Sequence, residues 1–222
     1  MARCYRCAEA RSTRSLWDPN YTDSSWIAAK VRLIPRLREW VNAYYLGTQI
    51  GITEYSWGAD THINGATAQA DILGIFGREG LDLATRWVVP ENRSVTYNAF
   101  KMYRNYDGAK STFGDVSVKA TAPDVDKVAV FAAERTSDGA LTVIAINKQL
   151  TAEAPALLSV ANFAATTAKR WQLTSANVIT RLTDQPISGG TFSNTLPAQS
   201  ITLFVFAPTI LQLSNQIGRA HV

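Results

Sequence analysis

The chain has 222 residues, 46% hydrophobic, 18% charged and 10% aromatic, which is enough for a real core in one large domain or two small ones and excludes a disordered chain. No run of about 18 apolar residues occurs, which excludes a transmembrane helix. The net charge of +4 is not a nucleic-acid signature, because residues 1–40 carry eight basic and four acidic residues while 41–222 carry fourteen of each, leaving no basic stripe to track phosphates.

At the front, MARCYRCAEA (1–10) has no apolar stretch of signal-peptide type and no periodicity. Its Cys4 and Cys7 form a C-x-x-C with no second pair nearby, and His62 and His221 are far off in sequence, so neither a zinc site nor a redox pair is expected. Residues 1–10 are expected to be foreign to the fold. So is the far end of the 209–222 tail, because IGRAHV resembles a translated sequencing adapter.

Residues 24–45 carry Ile27, Val31, Ile34, Leu37, Trp40, Val41 and Tyr44 at helical spacing, with Ser24 or Ser25 as cap. Pro35 warns of a kink or break. QIGIT (49–53) reads as a short strand ending before Glu54, and INGATAQADILGIFG (63–77) as a helix with a small-residue face. LDLATRWVV (81–89) is a second strand, and SVTYNAFKMYRNY (94–106) a helix capped by Ser94. Helices alternating with strands argue for βα units and a parallel sheet.

After residue 110 the pattern changes. Strands are expected near 115–120, 127–134, 140–147, 156–162, 168–174, 177–182, 190–193 and 200–206, separated by turns such as Ser137-Asp138-Gly139. Eight short strands at turn spacing suggest an antiparallel β-sandwich. The last, SITLFVF, alternates enough to face a core on one side.

In parallel α/β architectures reactive groups collect at the carboxyl ends of strands. Glu54 stands there, followed by Tyr55, Ser56, Trp57 and Gly58. A carboxylate flanked by aromatics fits a sugar-cleaving site: the carboxylate can attack an anomeric carbon, and ring faces can stack on pyranoses. On spacing alone, a solvated Glu at a strand end is the commoner alternative. Trp87 closes the second strand on the same rim, as a sugar platform or as a core residue. Trp17, Tyr21 and Trp26 are either further platforms or staples of the following helix. His62 either hydrogen-bonds in the site or is satisfied in its loop. Glu54 needs a second carboxyl group. Asp18, Asp60, Asp82 and Glu91 are available, but none ends a third strand. No G-x-S-x-G, P-loop or G-x-G-x-x-G after a strand is present.

The stretches SLWDPNYTDSSWI, RLIPRLREWV, IGITEYSWGADTHINGATAQADILGIFGREGLDLATRW, TYNAFKMYRNYDG and KSTFGD resemble glycoside hydrolase family 44. The resemblance runs from about residue 11 to 207 and is strongest over 48–115. It implies the last units of a (β/α)8 TIM-like barrel over 11–110 and an antiparallel β-sandwich over 111–208. It also implies retaining endo-β-1,4-glucanase activity on cellulose-type glucan or xyloglucan, by an enzyme expected to be secreted and monomeric in its full-length form; no cofactor is expected, and no metal-ligand cluster is found in the sequence. In the family the Glu of I-T-E-Y is the nucleophile, which falls on Glu54, and the eighth-strand Trp falls on Trp87. Tyr55, Trp57, Trp26 and His62 complete the expected substrate contacts. The family's acid/base Glu precedes the part matched here. The chain is therefore expected to be a C-terminal fragment, inactive alone, with β-glucan as its partner and neither nucleic acid nor membrane. The competing class is a non-catalytic glycan-binding β-sandwich, to which Trp171 would contribute. Against it, most sandwich aromatics alternate as core positions do. An unrelated (β/α)8 hydrolase is a third reading.

Overall fold

The computed structural model describes residues 11–208. The expectations for 1–10, Cys4, Cys7, His221 and the 209–222 tail lie outside the described residues. A short 3-10 turn, Thr13–Leu16, comes first and was not evident in the sequence. It is followed by α1 (Leu33–Tyr44), β1 (Gly51–Tyr55), α2 (Ile63–Arg78), β2 (Leu83–Arg86) and α3 (Val95–Arg104). The strands β3 (Val116–Val118), β4 (Val128–Arg135), β5 (Ala140–Asn147), β6 (Ala154–Ser159), β7 (Thr167–Leu173), β8 (Thr180–Pro186), β9 (Thr191–Leu196) and β10 (Ser200–Phe206) complete the chain.

α1 corrects the expected 24–45 helix. It begins at Leu33, so Pro35 lies in the first turn, where the missing N–H would have had no intrahelical partner. Proline therefore marks the start rather than a kink. Ser25 does not cap it; its N–H and Oγ donate to Asp23 within the preceding loop. α3 starts where expected, with Ser94 Oγ accepting from Tyr97 N–H at 3.1 Å.

β1 and β2 pair in parallel, as the alternation of helix and strand predicts. Their neighbour α2 is buried on nearly every side. Its small residues are forced by close approach: a Cβ on Gly65 would run into the Ala59 carbonyl, and one on Gly74 into the Phe131 ring. The second contact sits on β4, so α2 packs on the antiparallel sheet as well as on its own strands.

That sheet has six strands in the order β3-β4-β5-β10-β7-β8, all antiparallel, and β6 and β9 form a separate antiparallel pair. All eight expected strands are present. One core, including Leu141, Val143, Phe192, Leu196, Phe204 and Phe206, lies between the two sheets. The other joins Phe131, Ile144, Ile146, Ile201, Leu203 and Val205 to α2 and α3. SITLFVF is thus buried along its whole length. The expectation of a single core-facing side fails because helices cover the opposite face, so residues of both parities leave water.

A buried ion pair ties the two halves together. Lys148 Nζ donates to Asp71 Oδ2 at 2.8 Å, Thr13 Oγ1 donates to the same oxygen at 2.7 Å, and both charged side chains are at most 3% exposed. No helix among the described residues is long and apolar enough to cross a membrane.

Candidate active site

The two parallel strands end together. Gly51 lies beside Leu83, Ile52 beside Ala84 and Tyr55 beside Arg86. Three steps on β1 therefore match two on β2, a bulge of one residue at Thr53–Glu54. Ile52 and Tyr55, three apart, both pack into the helix-covered core, while Thr53 and Glu54 are exposed. Bulges of this kind re-aim a side chain. Glu54 consequently lies inside the strand rather than just after it, and it presents its carboxyl to solvent. Among the described residues it has no hydrogen bond or ion pair. The bulge is held by the Thr85 hydroxyl, which donates to the Thr53 carbonyl, and by Trp87 N–H, which donates to the Tyr55 carbonyl at 2.8 Å.

The second bond brings Trp87 to the rim beside Glu54. Its side chain is 59% exposed, as a platform rather than a core residue would be. Tyr55 is a correction. It is 8% exposed, its ring meets Phe76 edge-on at 5.2 Å, and its hydroxyl accepts from Gln69 Nε2 at 3.1 Å. Burial pushes that hydroxyl's pKa up, against the Gln69 hydrogen bond and the Arg86 charge. No face of the ring is free to stack on a sugar. Trp57 is half-buried against the same core and donates Nε1–H to Ser12 Oγ at 2.9 Å, which pins one edge. Trp26 is 93% exposed in the loop before α1, and no contact draws it to the rim. His62 caps α2: its Nδ1 accepts from Asn64 N–H at 3.1 Å, so any neutral-ring proton sits on Nε2.

Arg86 is the residue that sequence reasoning missed. Its side chain, 7% exposed, pairs with Asp60, reaches Gln69 Oε1 at 3.3 Å and donates to the Val88 carbonyl. It therefore ties the loop after Glu54 to the loop after Trp87. Val88 holds φ +92°, unusual for a β-branched residue, and such strain costs on the order of 1–3 kcal/mol unless surrounding contacts enforce it. The only signal in the sequence was a strand-ending Arg 26 positions after an Asp, which is common on any surface.

Among the described residues no second carboxyl group joins Glu54. Asp18 is taken by Arg14 at 2.6 Å, Asp60 by Arg86, and Asp82 accepts from Ile50 N–H at 2.8 Å. Asp82 lies at the amino end of β2, roughly 13 Å along the strand from the rim at 3.3 Å per residue. Glu91 is exposed in the turn beyond Trp87. No group of three or more His, Cys, Asp or Glu able to hold a metal occurs among the described residues. One exposed carboxylate on a rigid rim can act as nucleophile or base, but it cannot also be the acid.

The surroundings are unusually apolar. The β1–β2 face that carries Glu54 also exposes Leu83, and Val88 and Val89 beyond it are 65% and 83% exposed. α1 buries only Ile34, while Leu37, Trp40, Val41, Tyr44 and Tyr45 line an open apolar groove. Parallel sheets are ordinarily covered on both faces.

No family model matches the sequence. Endoglucanase A of Paenibacillus lautus is 42% identical over 146 residues, 64% of this chain and 21% of that protein. CelM2, a bifunctional glucanase-xylanase from a metagenome library, has a crystal structure that superposes with a TM-score of 0.92 at 58% identity, covering 94% of this chain and 40% of that one. A Paenibacillus polymyxa xyloglucanase from glycoside hydrolase family 44 superposes with a TM-score of 0.85 at 32% identity, covering 91% and 41%. The chain thus spans about two fifths of the length of these solved structures and about a fifth of the curated relative.

Proposed function

The chain belongs to glycoside hydrolase family 44, and from that membership we propose that residues 11–208 are the C-terminal part of a retaining endo-β-1,4-glucanase whose nucleophile is Glu54. The observation that carries this is the solvent-facing Glu54 carboxyl, re-aimed by the β1 bulge at the carboxyl end of paired parallel strands, next to an exposed Trp87.

In this reading the Glu54 carboxylate attacks the anomeric carbon of a β-1,4-linked glucose as the glycosidic C–O bond breaks. An acid from outside residues 11–208 protonates the leaving oxygen. It then takes a proton from water, which displaces Glu54 from the glycosyl ester. Trp87 offers an open stacking face, and the half-buried Trp57 lies on the loop just after Glu54. Tyr55 and Arg86 act from behind, Tyr55 by anchoring the strand and Arg86 by fixing both rim loops. Residues 11–110 supply the last βα units of a (β/α)8 barrel and 111–208 a β-sandwich. The uncovered β1–β2 face and the apolar stripe of α1 supply the surface that earlier units would cover. Glucan and xyloglucan are the substrate class, and a polymeric substrate implies action outside the cell.

The test has two arms. The 222-residue chain alone is expected to release no sugar from xyloglucan. A chimera in which residues 11–208 replace the stretch they match in the metagenomic glucanase-xylanase is expected to hydrolyse glucan. Glu54→Gln in that chimera lowers kcat by at least about a thousandfold, as loss of a nucleophile does. Near-parental activity of the Glu54→Gln chimera would overturn the assignment. So would glucanase activity of the chain alone that survives Glu54→Gln.

A further inference from the structure

The bulge that turns Glu54 outward competes with a register only one residue away. From Ile52 beside Ala84, an unbroken pairing would continue with Thr53 beside Thr85 and Glu54 beside Arg86. Side chains alternate along a strand, and Ile52 packs into the helix-covered core. That register would therefore send Glu54 inward under α2 and Tyr55 out to solvent, since a slip of one residue exchanges the faces. It also carries an attraction. Glu54 would stand next to the Arg86 guanidinium, whose side chain is 7% exposed, and a buried cation needs a partner. In the structure Tyr55 stands beside Arg86 instead.

One side chain touches both members of that pair. Gln69 of α2 is 3% exposed. Its Nε2 donates to the Tyr55 hydroxyl at 3.1 Å, and its Oε1 accepts from Arg86 Nε at 3.3 Å. The amide's orientation is forced, because a guanidinium only donates. Arg86 is further satisfied by Asp60 at 2.5 Å and by the Val88 carbonyl, so it does not draw a carboxylate from β1. Burial raises the pKa of the Tyr55 phenol and keeps it protonated, and its hydroxyl is the group that Gln69 recognises at position 55. In the slipped register the Glu54 side chain, not the phenol, would meet this amide.

We propose that Gln69 is a positioning residue for the nucleophile: its amide locks Tyr55 beside Arg86, which keeps the bulge at Thr53–Glu54 and holds the Glu54 carboxyl on the solvent side. The same lock sets Trp87 on the rim, because Trp87 N–H donates to the Tyr55 carbonyl at 2.8 Å. That Glu54 is the nucleophile rests on the function proposed above; that Gln69 fixes the register rests on its bonds to the two strands.

Two measurements test it. In the chimera that tests Glu54, Gln69→Met keeps the side chain's length and loses both bonds. It is expected to lower kcat about 10–100-fold, the scale of a reacting group misplaced by about 1 Å, while KM changes by less than about threefold. Gln69→Glu recovers most of that loss. A carboxylate accepts from Arg86 Nε–H and from the Tyr55 hydroxyl, which turns from acceptor to donor, and it repels an inward Glu54. A residue needed only for packing would not be rescued by a charged side chain. In the full 222-residue chain, amide hydrogen exchange at Trp87 is expected to quicken at least about tenfold in Gln69→Met and to return toward the wild-type rate in Gln69→Glu. A misfolded Gln69→Met hands both measurements to Tyr55→Phe, which keeps the ring against Phe76 and removes the bonded oxygen; the same losses are expected. Three results would overturn the proposal: kcat within about twofold of the parent chimera, no recovery in Gln69→Glu, or an unchanged exchange rate at Trp87. A chimera that is disabled by Glu54→Gln but not by Gln69→Met keeps the nucleophile and loses the lock. Near-parental activity of Glu54→Gln removes the function proposed above, and the Trp87 exchange rate then decides the lock by itself.

Discussion

Residues 11–110 and 111–208 differ most in how far each completes its own burial. In the second region β5 and β10 are buried from end to end, between β6–β9 on one side and α2–α3 on the other. In the first, β1 and β2 leave one face open, and α1 leaves Trp40, Tyr44, Tyr45 and Leu46 54–85% exposed. All eight antiparallel strands lie between residues 116 and 206 and pair only with one another, so that stretch of chain closes its own sheets. A parallel sheet is completed only by distant segments. The two regions nevertheless share α2, whose faces contribute to both, and that sharing can be broken at defined points.

The largest effect is expected at the buried pair between the regions. Lys148→Met leaves the Asp71 carboxylate buried with, among the described residues, the Thr13 hydroxyl as its remaining donor, and breaking such a pair costs about 3–5 kcal/mol. Chemical denaturation of the chain checks this, and a loss below about 1 kcal/mol would mean that the junction is held by packing alone. Gly74→Ala is next. The added methyl overlaps the Phe131 ring where α2 meets β4, and overpacking of this kind costs about 1–3 kcal/mol. A lower Tm together with unchanged far-ultraviolet dichroism is the expected signature.

A smaller, pH-dependent effect is expected where the segment before α1 meets the 124–126 turn. Burial pushes the Asp18 carboxyl up, but the Asn20 N–H and the Arg14 guanidinium outweigh it and hold the group below the usual carboxylate range. A depressed folded pKa stabilises the fold above the unfolded value, and that stability fades as pH falls through the folded one. Acid should therefore loosen this contact below about pH 4, and Asp18→Asn should flatten the dependence of Tm on pH there. The smallest effect on stability belongs to the open face. Tyr44→Lys removes an exposed ring from α1, and stability should change by no more than about 0.5 kcal/mol. Self-association measured by sedimentation should fall, because an uncovered apolar stripe is the adhesive surface. A large stability loss from Tyr44→Lys would mean that α1 is already packed in the isolated chain.

Much of the architecture was legible in the residues. The alternation of helix and strand up to residue 106, the Ser94 cap and all eight later strands follow from local periodicity and turn chemistry. Pro35 signals a kink or a break in the 24–45 pattern, and the break is what forms: periodic apolar residues run on ahead of it, yet the backbone over 24–32 is a loop tied by Asp23. At the candidate site, Glu54 and Trp87 could be picked out because the sequence pattern puts both near the carboxyl ends of strands. Tyr55 could not be sorted from them, since which face it takes depends on the bulge, and the bulge exists only against β2. Arg86, Asp60 and Gln69 are ordinary polar residues until α2 brings them behind the rim.

The sequence by itself determined the order and kind of the main elements, the helix cap at Ser94, the small-residue face of α2 and the family the chain belongs to. The elements, the cap and that face depend on spacing, chirality and side-chain shape within a few residues. Only the tertiary structure decided which way Glu54 faces, that SITLFVF is buried on both sides, and that Gln69 of α2 bridges Tyr55 and Arg86. Faces and contacts belong to pairs of segments far apart in the chain, and no local pattern records which partner will cover a given side.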